Sequence, residues 1–150
     1  MRILLTIVLF LFSFQGVIAQ PVVNYNKALA DSLGADDYGM KRYVLVILRT
    51  GQVAVTDKNL RDSLFRGHMK NIQRLADDGK LILAGPFVKE ESFRGLFILN
   101  VATKEEAKSL VLTDPAVAAG IFDYDLLQWY GSAALPLYLP HHKALEKRDK

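Results

Sequence analysis

Two side chains in this sequence have the types and settings to do chemistry together, His68 and Asp114. His68 lies four residues from both Leu64 and Ile72, in a stripe of apolar residues. Alone, a histidine on an apolar face reads as a satisfied core residue more readily than as a catalyst. A buried imidazole still needs a hydrogen-bond partner, and a carboxylate partner tunes it for proton transfer. Asp114 stands before Pro115, and alone it reads as the stop of a helix, because the residue before proline avoids the helical region. As a pair the two make a general acid–base group. Gly85-Pro86 removes side-chain bulk and fixes a turn, so it can shape a pocket wall; its plainer reading is punctuation. Arg94 can meet an anionic ligand, although an exposed arginine is the commoner case. His141-His142 is weak as a metal site, because adjacent histidines on a tail do not make a coordination set. Trp129-Tyr130 reads as dimer core or rim. Gly-rich phosphate loops, a Gly-x-Ser-x-Gly elbow and a His-Glu-x-x-His helix are missing from the sequence.

The elements that must position these residues follow from periodicity. Tyr43 to Leu48 is rich in β-branched residues and stops at Thr50-Gly51, which predicts a buried strand. From Asp57 to Asp78 the period becomes helical. Leu60, Leu64, His68, Ile72 and Leu75 form one stripe, widened by Phe65, Met69 and Ala76, with Thr56 or Asp57 as cap and Gly79 as terminator. Lys80 to Ala84 predicts a second strand and Gly95 to Val101 a third. Thr103-Lys104-Glu105-Glu106 is a capping box opening a second helix, with Ala107, Leu110 and Val111 inward. One more turn, Ala116 to Ala119, ends at Gly120, and Ile121 to Tyr130 predicts the last strand. The order βαββαβ over residues 41–130 is the ferredoxin-like plan, an α+β fold with both helices on one face of an antiparallel sheet.

That plan supplies a geometric argument. Its helices run antiparallel, so with Asp78 level with Thr103, residue 114 lies opposite residue 67, beside His68. The rival, Asp77, is nine residues further along the first helix, ~13 Å of axial rise away. The first, third and fourth strands carry more large apolar residues than one helical layer covers. The expectation is a homodimer through the open sheet face, a dimeric α/β-barrel.

The chain has 150 residues, enough for one domain with a core. Arg2, the apolar run from Ile3 to Phe14 and Val17-Ile18-Ala19 form an export leader, residues 1–19. The run is short of the ~20 apolar residues that span a bilayer, so no stable membrane anchor is expected after cleavage at Ala19. The mature chain is then periplasmic or secreted. Without its leader it has 18 basic and 16 acidic residues and no basic patch for nucleic acid. With no cysteine, disulfides, thiolate metal sites and thiol nucleophiles are excluded. Residues 20–40 form an N-terminal extension with a short helix near Tyr25 to Leu33. Residues 131–150 form a C-terminal extension, in which Leu135 to Pro140 is apolar enough to pack on a neighbour and residues 141–150 read as solvated.

With these residues in view, the chain resembles the YciI-like, YCII-related family between Tyr43 and Tyr130. The motifs are Gly67-His68-Met69, Leu75-Ala76-Asp77-Asp78-Gly79-Lys80-Leu81, Ala84-Gly85-Pro86-Phe87, Arg94-Gly95 and Thr113-Asp114-Pro115-Ala116-Val117-Ala118-Ala119-Gly120. The resemblance implies a ferredoxin-like, dimeric barrel with a His and an Asp as acid–base pair, carried here by His68 and Asp114. It also points to proton-transfer or lyase chemistry, as in a relative that removes chloride from a hydroxyquinone-type substrate.

The expectation is therefore an exported homodimer using His68 and Asp114, with no metal and no organic cofactor, for lyase- or isomerase-type chemistry on a small, cyclic or aromatic molecule. Gly85, Pro86 and Arg94 would contact the substrate. The alternative is a non-catalytic periplasmic binding or stress-related dimer in which His68 only orients a ligand. A third reading is a cofactor-free oxygenase of the same architecture.

Overall fold

Hydrogen-bonding side chains set the element boundaries. The computed structural model describes residues 24–89 and 92–147; the expected leader and its cleavage point lie outside the described residues. Helix α1 spans Lys27–Leu33 behind the Asn26 cap, strand β1 Met40–Thr50 and helix α2 Lys58–Asp77. Strands β2 (Leu81–Pro86) and β3 (Phe93–Leu99) follow, then helices α3 (Lys104–Val111) and α4 (Pro115–Ala118), strand β4 (Phe122–Ser132), a 3-10 turn (Leu135–Tyr138) and helix α5 (Leu139–Leu145). The Asp57 carboxylate caps α2 by accepting from Asn59 N at 2.7 Å and Leu60 N at 3.1 Å. Gly79, at φ 67°, takes the left-handed conformation that ends it. Thr103 caps α3 through Glu106 N. Only that half of the expected capping box forms, because the Glu106 carboxylate turns to Lys80 at 3.3 Å.

The sheet order is β2-β3-β1-β4, antiparallel throughout, so the fold is ferredoxin-like. Alternation along β1 divides its side chains between two faces. Val44, Val46 and Leu48 join Leu75, Phe97, Leu99, Ala107 and Val111 in the main core under the helices. Tyr43 points the other way, into a smaller cluster with Ile82 and Ile98. Burying this much aliphatic surface against two helices is the main stabilising term, each fully buried Val or Leu contributing ~1.5–3 kcal/mol.

Three details differ from expectation. Gly85 and Pro86 belong to β2 rather than ending it; β2 is an edge strand, where proline's missing donor is tolerated. Leu60 and Met69, placed on the inward stripe, are 51% and 60% exposed. Helical period identifies a face, but the sheet covers only part of that face's length. The chain after β4 also packs within the protein. Leu135 lies on the Tyr43–Ile82–Ile98 cluster, and residues 139–145 are helical, exposed apart from the half-buried Leu139, and tied by Lys143 to Asp77 at 3.1 Å.

Candidate functional site

The middle of α2 and the loop between α3 and α4 meet at one point. His68 Nδ1 lies 2.5 Å from Asp114 Oδ2. Asp114 is 1% exposed and His68 8% exposed. The second carboxylate oxygen, Oδ1, accepts from Ala116 N at 2.9 Å, so Asp114 also caps α4, whose first residue is Pro115. Asp114 thus breaks the helix, and the cap fixes the carboxylate that receives the imidazole.

Two further contacts hold this geometry. Gly67 lies against the Pro115 ring so closely that an added Cβ would come within 2.9 Å of Pro115 Cγ. Nearly two turns along α2, Arg74 donates to Asn71 Oδ1 at 2.8 Å and to Thr113 Oγ1 at 3.0 Å, while Thr113 donates back to the Leu110 carbonyl at 2.6 Å. Nothing in the sequence marks this tie to the residue before Asp114, since Asn71, Arg74 and Thr113 look there like ordinary polar surface. Asp77 stands apart as the helix positions require, half-exposed and paired with Lys143.

His68 lines a cavity of about 520 Å³ between α2, the sheet and the C-terminal segment. Three phenylalanines surround the imidazole. Phe97 stacks on it with ring centres 6.1 Å apart, and Phe122 and Phe65 meet it edge-on at 5.3 and 6.4 Å. Gly85, Pro86 and Arg94 line the same cavity, so all the expected site residues converge except that Asp114 sits behind His68 rather than on the wall. A Cβ at Gly85 would meet nothing within 4 Å, whereas one at Gly95 would come within 3.0 Å of the Gly85 carbonyl. Gly95 therefore permits the close approach of β2 and β3 that forms this wall. Tyr138, Leu139 and His142 complete the lining, a role that no sequence pattern signals.

The chemistry of the pair follows from its donors. A carboxylate only accepts hydrogen bonds, so Nδ1 carries the shared proton and Nε2 is left with its lone pair. Held in one tautomer by a buried carboxylate, the imidazole can accept a proton at Nε2 and be stabilised as imidazolium. Among the described residues no group of three or more His, Asp or Glu side chains is arranged to hold a metal ion.

No curated protein matches the chain. A solved structure, 5-chloro-2-hydroxyhydroquinone dehydrochlorinase from Burkholderia phenoliruptrix AC1100 in complex with 2,5-dihydroxybenzoquinone, is similar at 19% identity and a TM-score of 0.43, covering 57% of this chain and 92% of that one. The family model of the YCII-related domain matches residues 42–130, more than half of the chain and every strand of the sheet save the ends of β1 and β4. The chain belongs to the YCII-related domain family.

Proposed function

We propose that the protein is an acid–base enzyme of lyase or isomerase type, in which His68 moves a proton on a small cyclic or aromatic molecule without a metal or organic cofactor. One observation carries this reading: a buried carboxylate 2.5 Å from Nδ1 of a histidine that lines a cavity. Asp114 orients the imidazole and balances its charge once protonated; His68 Nε2 takes a proton from a C–H or O–H next to a carbonyl, then returns it to another position or to a leaving group. The phenylalanines around His68 suit a flat ring. Gly85 and Pro86 bound the ring, and Arg94 meets a polar substituent. Such a pair contributes typically ~10²–10⁴-fold, which suits activated substrates. The working form in this reading is an exported homodimer, on the strength of the leader pattern at residues 1–19 and the apolar outer face of the sheet.

Deuterium exchange tests the chemistry on any ring compound with an acidic C–H. Cyclic enolisable ketones and hydroxyquinones are incubated with the protein in D₂O, and C–H loss is followed by NMR. Exchange accelerated by the wild type and lost in His68→Gln is expected. Molecules that bind the cavity yet exchange at the uncatalysed rate would leave only the binding role.

A further inference from the structure

The chain beyond β4 reaches the cavity by an anchored path. Leu135 is seated on the outer face of the sheet with Tyr43, Ile82 and Ile98, and Lys143 is held by Asp77 at the end of α2. Between these two anchors Tyr138 and His142 face each other, ring centres 5.9 Å apart, and both line the cavity that holds His68. The cavity is apolar around His68 and changes character where these residues stand. Arg94 lines the same cavity from the Pro86 end of β2, and it makes no ion pair among the described residues. Lys143 also lines the cavity but is paired with Asp77, and Glu146 supplies a carboxylate on the lining.

We propose that the C-terminal segment is a wall of the ligand site, and that Tyr138 and His142, together with Arg94, select flat ring compounds that carry a carboxylate. This deepens the proposed function, since the compound it selects is the one His68 would act on. A guanidinium offers a planar fork of donors that fits a carboxylate. The Tyr138 phenol and His142 imidazole add donors on the wall that the segment builds. Burial pushes the Tyr138 phenol up, so it stays protonated and able to donate at neutral pH. Specificity arises because a carboxylate makes charge-assisted hydrogen bonds to the guanidinium that a neutral substituent cannot match.

Benzoate and benzyl alcohol, equal in ring and different in charge, test the proposal in the isotope-labelled full-length mature chain. Dissociation constants come from NMR titration, and thermal melts confirm that each variant is folded. The wild type is expected to bind benzoate at least tenfold more tightly than benzyl alcohol, with shifts at His68. Tyr138→Phe and His142→Ala should each weaken benzoate several-fold and narrow that preference. Leu135→Asp, which releases the segment from the sheet, should abolish it. Wild type that binds neither compound, or binds both equally, overturns the proposal. So does an unchanged preference in the Tyr138, His142 and Leu135 variants; in that case benzoate shifts at His68 would leave the cavity reading standing. Loss of exchange chemistry with the preference intact would instead refute the acid–base reading and spare this one.

Discussion

Gly67 and Pro115 touch so closely that the helix carrying His68 and the turn carrying Asp114 meet through a glycine with no room for a methyl group: a Cβ there would lie 2.9 Å from the proline ring. Each residue immediately precedes or follows a member of the pair, so their spacing sets the spacing of the pair. Gly67→Ala gains helix propensity of ~1 kcal/mol, but collision with a rigid ring typically costs ~1–3 kcal/mol. The expected result is a small net loss in thermal stability accompanied by a lengthened His68–Asp114 contact. A titration of the His68 ring by NMR that coincides with wild type would show that the contact does not need this close approach.

Asp114→Asn separates the two jobs of that carboxylate. The amide oxygen can still cap α4 through Ala116 N, and the amide nitrogen then faces His68 Nδ1 as a donor. The ring must respond by placing its proton on Nε2, which removes the base from the cavity. Folding should be almost unchanged, while catalysed exchange should fall by ~10²–10⁴-fold. Asp114→Ala loses the cap, ~1 kcal/mol, and leaves a buried imidazole nitrogen unpaired at ~1–3 kcal/mol, so it should melt well below Asp114→Asn. Equal exchange rates in wild type and Asp114→Asn would refute the orienting role.

The pair is legible in the sequence because its distance depends on quantities that hardly vary: the rise of a helix, the antiparallel arrangement of the two helices and the break at Asp114-Pro115. Strand and helix order is legible for a similar reason, the change of apolar period at Asp57 and again after Gly79. Other features depend on tertiary approach. Asn71 and Thr113 are polar, and nothing local reveals that Arg74 joins α2 to the loop after α3 through them. Leu135, Leu137 and Leu139 alternate with Pro136, Tyr138 and Pro140, a pattern with no helical period. The path of that segment from the sheet's outer face to the cavity is a long-range packing fact. Leu60 and Met69 show the reverse limit, residues on the right helical face but beyond the reach of its partner.

Tyr130, at the end of β4, donates its hydroxyl to the Asp36 carboxylate and thereby ties the N-terminal extension to the sheet. That hydrogen bond, with the backbone amides of Met40 and Tyr38, holds Asp36 below its ordinary value of 3.8. The same contact pushes the Tyr130 phenol above 10.0. A depressed carboxyl stabilises the fold above its unfolded value and loses that contribution as pH falls through its folded value; a raised phenol contributes below 10.0 and loses it as pH rises through its folded value. The tie therefore holds from about pH 4 to about pH 10. In Tyr130→Phe the Asp36 carboxyl should titrate nearer 3.8, and α1 should exchange its amides faster. An Asp36 titration unchanged by the substitution would mean that the backbone amides alone set it.

The outer face of the sheet carries the last prediction. Antiparallel partners share a face, so Tyr43 with Trp129, Leu45 with Leu127 and Ile47 with Asp125 all point away from the helices. The C-terminal segment covers the Tyr43 end through Leu135. Beyond it, Leu127 remains 50% exposed and Trp129 38% exposed, beside the half-buried Leu45, Ile47 and Leu96. At the far end Arg49 sits between Asp123 and Asp125, at 3.3 and 2.9 Å, and provides a polar border. An apolar centre with a charged border has the composition of a permanent contact between like subunits. A stable one needs ~1,200–2,000 Å² buried in total, which two such faces packed sheet to sheet can provide. The protein should therefore sediment as a dimer at micromolar concentration. Leu127→Glu, which sets two carboxylates near the centre of that contact, should give a folded monomer. A wild type that sediments as a monomer would defeat the dimer, and a dimeric Leu127→Glu would move the contact to another surface.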